Sequence, residues 1–199
     1  MNDTVNALSA AVEARDPYTS GHMKRVAELS KAISFKIGLS ESQSNVIYDA
    51  GMLHDLGKIQ IPSEILAKPG RLNKAEFELI KYHPKAGYEI LKHIEYEWPI
   101  ANVAHQHHEK LDGSGYPQAL KGEAICLEAR IIAVADVVES ILSYRPYRPA
   151  LGVVVALGEI STHKGNFYDP MVVDACIVII NEGSFSFDLS KMVVSKTQE

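Results

Sequence analysis

Apolar residues recur at helical spacing through most of the chain. Between residues 19 and 37 they fall on one face of a predicted amphipathic helix, at Val26, Leu29, Ile33 and Ile37, and Gly38 then offers a stop. Ser40 and Gln43 have the spacing of a capping box, which predicts a second helix running to Leu56. Gly57 is expected to end that helix in a left-handed conformation.

The rest of the chain continues the helical pattern. Asn73 and Glu76 predict another capped helix that runs toward His83. Further helices are predicted over residues 96–109, 123–142, 153–160 and 170–180. Three consecutive valines at 153–155 would also suit a strand, but the overall pattern indicates an all-α protein.

Two segments break this pattern. Residues 112–117 form the turn-rich string DGSGYP, whose glycines permit backbone angles that other residues avoid. The segment from Ser184 to Glu199 has no clear period, and we expect a loosely ordered extension over 183–199. Residues 1–182 are predicted to form one domain.

Composition excludes several classes of protein. The chain has 199 residues, of which 46% are hydrophobic and 23% charged, and its net charge is −5. This balance is ordinary for a globular domain, and the negative charge disfavours a nucleic-acid polymer as partner. No run approaches the roughly 20 apolar residues of a membrane span. Cys126 and Cys176 form no metal-binding pair or disulfide framework, so the cytosol is the expected location.

The candidate chemistry lies in histidines that stand beside carboxylates. The residues of interest are His22, His54, Asp55, His83, His107, His108 and Asp136. Imidazole and carboxylate together suit Fe, Mn or Zn, and a carboxylate with two oxygens can bridge two ions. A single histidine of this kind is more often an ordinary core or surface residue, so spacing alone leaves a metal site and a structural role both open.

Three motifs resemble the HD-GYP family. Residues 15–22 read RDPYTSGH, residues 53–59 read LHDLGKI, and residues 107–117 read HHEKLDGSGYP. The similarity extends over about residues 5 to 180, and its further matches are Lys68-Pro69-Gly70, His83-Pro84, Asp136, residues 145–149 and residues 167–170.

The resemblance implies a fold and an activity. It implies an HD-superfamily helical bundle with the Gly-Tyr-Pro loop between helices, and it makes residues 1–182 a catalytic domain. Such a domain hydrolyses the bacterial second messenger cyclic di-GMP to pGpG, GMP or both, through a hydroxide that bridges two metal ions. The alternatives are a cyclic dinucleotide-binding or partner-docking module without turnover, and a phosphodiesterase for hybrid cyclic GMP-AMP.

The resemblance also implies a ligand set for two divalent ions, Fe or Mn. One ion would be held by His22, His54 and Asp136. The second would be held by His83, His107 and His108. Asp55 would bridge the two and belong to the catalytic centre.

Further residues are expected to contact the substrate. Lys58 follows Asp55 by three residues, so it should share the site face and could stabilise the transition state or protonate the leaving oxygen; a solvated helix-end lysine is the alternative. Arg145 and Arg148 could clamp phosphate or stack on guanine, although an ordinary basic loop would look the same. Gly115 and Tyr116 are expected at the substrate rim.

The chain departs from the family pattern at Tyr18, at Glu139 and at Ser143-Tyr144, which replaces a commoner polar-acidic pair just before Arg145. Tyr18 stands where some relatives have an acidic ligand for a third metal, so a binuclear site is expected. Glu139 stands where relatives commonly have Asp.

The partners expected from the resemblance are a diguanylate cyclase domain or an adaptor protein, with a sensory or receiver domain if the chain is part of a longer protein. A homodimer is a further expectation.

Overall fold

The structure is a computed structural model that describes residues 2–15, 20–94, 98–143, 150–185 and 187. Within these residues it has ten α-helices and no β-strand, which confirms the all-α prediction. The helices are α1 Asn2–Glu13, α2 His22–Lys36, α3 Glu41–Leu53, α4 Ser63–Leu66, α5 Lys74–Ile80, α6 His83–Leu91, α7 Ile100–Gln106, α8 Leu127–Leu142, α9 Val153–Thr162 and α10 Pro170–Asn181. Two 3₁₀ turns lie at Leu56–Gln60 and Gly122–Ala124.

The core lies where α2, α3 and α8 pack against one another. The apolar face predicted for α2 is buried there, and α8 contributes Ile131, Ile132 and Val138 to the same cluster. Helix α1, which the pattern did not predict, packs on α3, and its Val5 and Val12 are buried in the core. Helices α6 and α7 pack together beside the Leu56–Gln60 turn. The burial of these apolar faces stabilises the arrangement from which the polar site projects.

Both predicted capping boxes are present. The Ser40 side chain accepts from Gln43 N while the Gln43 side chain accepts from Ser40 N, and Asn73 and Glu76 are paired in the same reciprocal way. The valines at 153–155 lie in α9, so the helical alternative was correct. Local side-chain chemistry therefore fixes the starts of these two helices directly.

The prediction for Gly57 was wrong. Helix α3 ends at Leu53, and Gly57 lies in the 3₁₀ turn that follows it. The glycine is needed for close packing, because a Cβ at this position would lie 1.9 Å from His83 O and 2.4 Å from Gly87 N. Backbone of the turn therefore lies directly against the backbone of α6.

Other helix limits differ from the prediction as well. Over the predicted range 96–109 the described helix is Ile100–Gln106, and residues 95–97 are outside the described part. The predicted helix from Glu123 begins instead at Leu127, after the 3₁₀ turn.

The Gly-Tyr-Pro loop lies between α7 and α8, as expected from the resemblance. The buried carboxylate of Glu109 fixes the residues that follow the loop, because it accepts hydrogen bonds from Gln118 N at 2.6 Å and from Leu120 N at 3.0 Å. Leu111 N donates to Phe167 O at 3.1 Å, which ties the loop to the segment before α10. The loop is thus fixed by internal hydrogen bonds on the side facing the protein.

The chain beyond α10 is described only in part. Phe185 and Phe187 pack against the hydrophobic core, but residue 186 and residues 188–199 fall outside the description. The loosely ordered extension over 183–199 therefore remains a prediction, as does the domain limit at 182. None of the helices in the described residues has the length and hydropathy needed to cross a membrane.

Candidate metal centre

The seven predicted ligand residues converge from five parts of the fold. His22 and His83 are the first residues of α2 and α6. The pairs His54-Asp55 and His107-His108 directly follow α3 and α7, and Asp136 lies in the middle of α8. Helix ends thus place most of these side chains at one end of the packed helices.

Asp55 lies between two sets of histidines. Its Oδ1 is 3.2 Å from His83 Nε2 and 4.0 Å from His107 Nε2. Its Oδ2 is 3.5 Å from His54 Nε2 and 3.7 Å from His22 Nε2. Each carboxylate oxygen therefore faces a different set, which is the arrangement that a bridging ligand requires.

Two groups of three potential ligands lie on the two sides of this carboxylate. In each group the ligand atoms lie within 4.8 Å of one another, and the groups are His22, His54, Asp136 and His83, His107, His108. A third group of the same compactness consists of His54, Asp55 and His107, and joins the two sides.

Backbone hydrogen bonds fix the protonation of three of the rings. In each, Nδ1–H donates to the carbonyl oxygen three residues earlier, at 2.6, 2.7 and 2.8 Å for His54–Gly51, His83–Ile80 and His107–Ala104. A carbonyl can only accept, so the proton of the neutral ring is on Nδ1. Nε2 then presents a lone pair to the centre, as a metal-ligating histidine does.

These residues fit a pair of divalent ions. His83 Nε2 and His107 Nε2 lie 3.2 Å apart, and when both rings carry their proton on Nδ1, the two lone pairs repel unless a cation lies near them. His54 Nε2 is buried and has no hydrogen-bond partner in the part of the chain that the structure describes. Buried polar atoms without partners are costly, and a metal ion would satisfy these.

Burial sets the charge state of the centre. It lowers the pKa of His54, that of His107 well below the ordinary value, and that of His108 to about 3. Burial alone would raise the pKa of Asp55, but Lys58 and the neighbouring histidines hold it well below the usual range. Neutral imidazoles around an ionised carboxylate are the protonation states that metal binding needs.

The sequence analysis missed the supporting role of Glu139. Its side chain is fully buried on α8, where one carboxylate oxygen accepts from His22 Nδ1 and the other accepts from Arg25 Nε at 2.7 Å. Glu139, which stands where relatives commonly have Asp, therefore contacts a predicted ligand directly. The spacing of three residues after Asp136, which places both carboxylates on one helix face, was the available clue.

Lys58 shares the site, as its spacing predicted. Its Nζ donates to Asp55 Oδ2 at 2.6 Å, and its side chain is 16% exposed. An ammonium held beside the central carboxylate is positioned to meet an anionic substrate at the edge of the centre.

Tyr116 contacts the centre through His108. Their ring centroids are 4.8 Å apart, and Tyr116 N donates to His108 O at 3.2 Å. Gly115 permits this approach, because a Cβ there would lie 2.6 Å from His108 O. The loop signature therefore packs onto a predicted ligand, with Lys81 Nζ 5.6 Å from the centroid of the Tyr116 ring.

Several positions named from the sequence lie elsewhere. Arg145, Arg148 and Tyr18 fall outside the described residues, so their predicted roles stay predictions. The histidines that were given no role are apart from the centre: His105 stacks on Tyr88, His163 stacks on Phe167, and His93 is exposed.

Comparison with known proteins identifies the family. A family model described as "HD domain" matches residues 6–172. The cyclic di-GMP phosphodiesterase response regulator RpfG of Xanthomonas campestris pv. campestris is 43% identical over 177 residues, covering 88% of this chain and 47% of that protein. A cyclic di-GMP phosphodiesterase of Thermotoga maritima is 40% identical over 184 residues, covering 90% of this chain and 50% of that protein. The chain thus spans about half the length of these relatives.

Solved structures share the fold at low sequence identity. Bd1817, an HDG"Y"P protein from Bdellovibrio bacteriovorus, superposes with a TM-score of 0.69 at 18% identity, over 90% of this chain and 63% of the other. The HD domain of the Listeria monocytogenes phosphodiesterase PgpH, in complex with cyclic-di-AMP, has a TM-score of 0.58 at 23% identity, over 91% and 98% of the two chains.

Proposed function

This chain belongs to the HD domain family, and from that premise we propose that it is an HD-GYP-type, metal-dependent phosphodiesterase that hydrolyses cyclic di-GMP. The observation that carries the proposal is Asp55, whose two oxygens face two separate sets of histidines. A centre with one shared carboxylate is suited to two ions and hence to an anionic phosphodiester. The names of the relatives RpfG and the Thermotoga maritima enzyme support cyclic di-GMP as the substrate.

The chain's own residues would hold two divalent ions, Fe or Mn. His22, His54 and Asp136 would bind one, His83, His107 and His108 would bind the other, and Asp55 would bridge them. This ligand set contains imidazole nitrogens and carboxylate oxygens and no thiolate, which suits these metals.

The remaining chemistry belongs to the side chains at the edge of the centre. When bound, the two ions supply charge neutralisation of the phosphodiester and lower the pKa of the attacking water. Lys58, held by Asp55, donates a hydrogen bond to a phosphate oxygen or a proton to the leaving oxygen. Because Asp55 also orients Lys58, a single carboxylate would bridge the two ions and position the proton donor.

The substrate-binding rim is a further part of the proposal. Gly115 and Tyr116 would line it from the loop, and Arg145 and Arg148 would grip phosphate or guanine. The cytosolic location, the homodimer, the diguanylate cyclase or adaptor partner and the sensory or receiver domain also remain predictions.

Product analysis tests the proposal. The purified protein is incubated with cyclic di-GMP and Mn²⁺, or with Fe²⁺ under anaerobic conditions, and the products are separated by chromatography. We expect pGpG, GMP or both, and their ratio defines the end product. Asp55→Asn should abolish turnover, whereas His105→Ala, a matched histidine variant on α7 outside the centre, should retain it. Metal-loaded protein that binds cyclic di-GMP without cleaving it would instead support the docking-module alternative.

A second substrate is favoured by a specific relative. The 3'3'-cGAMP-specific phosphodiesterase 3 of Vibrio cholerae is 36% identical over 166 residues, covering 83% of this chain and 36% of that protein. The same assay with cyclic GMP-AMP, at equal concentration and in competition with cyclic di-GMP, compares kcat/KM for the two. A higher kcat/KM for cyclic GMP-AMP than for cyclic di-GMP would make the hybrid dinucleotide the preferred substrate, and the reaction class would stay the same.

A further inference from the structure

Helix α8 contacts both nitrogens of the His22 ring. Asp136 Oδ1 lies 3.3 Å from His22 Nε2, and Glu139, one turn later, accepts from His22 Nδ1. The imidazole is therefore held between two carboxylates that project from the same helix face. Its plane and its direction are both set by α8.

Glu139 is itself held on its other oxygen. Oε1 accepts from Arg25 Nε at 2.7 Å and from Ser143 Oγ at 2.5 Å. The carboxylate is fully buried, while the Arg25 side chain is 14% exposed. A buried carboxylate with charged and neutral donors on one oxygen has little freedom to turn away from His22.

This support differs from that of three other histidines in the centre. His54, His83 and His107 donate to neutral backbone carbonyls, whereas His22 donates to an anion. A carboxylate partner orients a ligating imidazole and makes its other nitrogen a stronger donor to a metal. The His22 side of the centre should therefore depend on a side chain that can be replaced without changing any ligand.

We propose that Glu139 is a positioning residue that fixes His22 for metal binding, and that Arg25 and Ser143 hold Glu139 for this task. The inference rests on the proposed function only in requiring a divalent ion at His22, His54 and Asp136. Glu139 is not one of the proposed ligands, so its effect should appear first in metal affinity.

Mn²⁺ titration of the metal-free full chain tests this directly. Isothermal calorimetry, with bound metal counted after dialysis, should find two ions on the unmodified protein. Glu139→Gln keeps the size of the side chain but removes its charge, and should lower the Mn²⁺ affinity at one position by about 10- to 100-fold. The affinity at the other position should change by less than about threefold. Glu139→Asp should recover part of the lost affinity because it restores the charge.

Asp169 provides a matched structural control. Its carboxylate is also buried and is paired with an arginine, since Arg130 donates to Asp169 Oδ2 at 2.6 Å. Asp169→Asn should lower thermal stability while leaving both Mn²⁺ affinities unchanged. If Glu139→Gln behaves in the same way, with a lower melting temperature and unchanged affinities, Glu139 is merely structural and the proposal is overturned.

Ser143→Ala keeps the test sharp if Glu139→Gln does not fold. It removes one hydrogen bond to Glu139 and leaves the carboxylate and Arg25 in place, so one Mn²⁺ affinity should fall by about two- to tenfold. Unchanged affinity in a folded Ser143→Ala protein would also count against the proposal, as would an unmodified protein that binds no Mn²⁺. A protein that binds two ions but cleaves no cyclic dinucleotide would sink the proposed function alone.

Discussion

The Tyr116 ring lies against the His108 ring, with centroids 4.8 Å apart and planes inclined by 31°. His108 also contacts His107 and His83 through ring faces and edges, at centroid distances of 4.1 and 5.0 Å. The His108 ring is thus packed among aromatic rings. The neighbouring rings of His54, His83 and His107 are instead oriented by hydrogen bonds to backbone carbonyls. The tyrosine of the Gly-Tyr-Pro loop therefore helps to orient a predicted metal ligand as well as shaping the rim.

Replacing Tyr116 should separate these two effects. Tyr116→Ala removes the stacking contact, worth about 0.5–1.5 kcal/mol, and should lower kcat/KM for cyclic di-GMP by about two- to tenfold at saturating Mn²⁺. Tyr116→Phe keeps the ring and should retain activity within about twofold. Steady-state kinetics of the two variants measures this, and equal losses in both would assign the role to the hydroxyl rather than to stacking.

Lys58 should affect kcat more than KM. Lys58→Met removes the ammonium that donates to Asp55, and the loss of one charge-stabilising donor costs about 10²- to 10³-fold in kcat. Lys92→Met is a matched control, because Lys92 also pairs with a carboxylate three residues earlier, that of Glu89. This pair is exposed and lies at the end of α6. A Lys58→Met enzyme as fast as the Lys92→Met enzyme would exclude Lys58 from the reaction.

Gly57 should tolerate no side chain. The added Cβ of Gly57→Ala would lie 1.9 Å from His83 O, so the turn and α6 must separate, at a cost of about 3 kcal/mol or more. Gly158→Ala is the control, since a Cβ there has no neighbour within 4 Å and helix interiors favour Ala over Gly by about 0.5–1 kcal/mol. Thermal denaturation should show the two alanines shifting stability in opposite directions, and a neutral Gly57→Ala would contradict the packing described.

Metal should stabilise the fold without being needed to form it. The core is built from apolar faces of α2, α3 and α8, so protein treated with EDTA should keep its helical circular dichroism. Mn²⁺ at about 100 times its Kd should add about 2.7 kcal/mol per occupied position, which corresponds to roughly 5–10 °C in Tm for a chain of this size. Asp55→Asn should lose most of this shift. Helix loss on chelation would instead make the metal part of the folding reaction.

The sequence carried the features that depend on local chemistry. Both capping boxes could be predicted because each joins residues three positions apart. That the seven candidate ligand residues lie close together could be predicted because motif spacing and family resemblance name them. The close approach at Gly57 could not be inferred from its neighbours, since the obstructing atoms belong to His83 and Gly87, in another helix.

Glu139 shows the same limit within the site. Its residue type and its place one turn after Asp136 were visible, but its partner His22 is 117 positions away in the chain. Only the packing of α2 on α8 brings the two together. Contacts of that kind depend on tertiary structure, so single-sequence reasoning noted the position without finding its role.

The central place of Asp55 has an evolutionary consequence. A descendant that lost one histidine from either side would retain a complete set on the other, and could persist as a one-ion protein that still recognises its ligand. A descendant that lost Asp55 would impair both sides in a single step. If the proposed activity decays to leave a binding module, two routes of different abruptness should therefore exist, one gradual through the histidines and one immediate through the shared carboxylate.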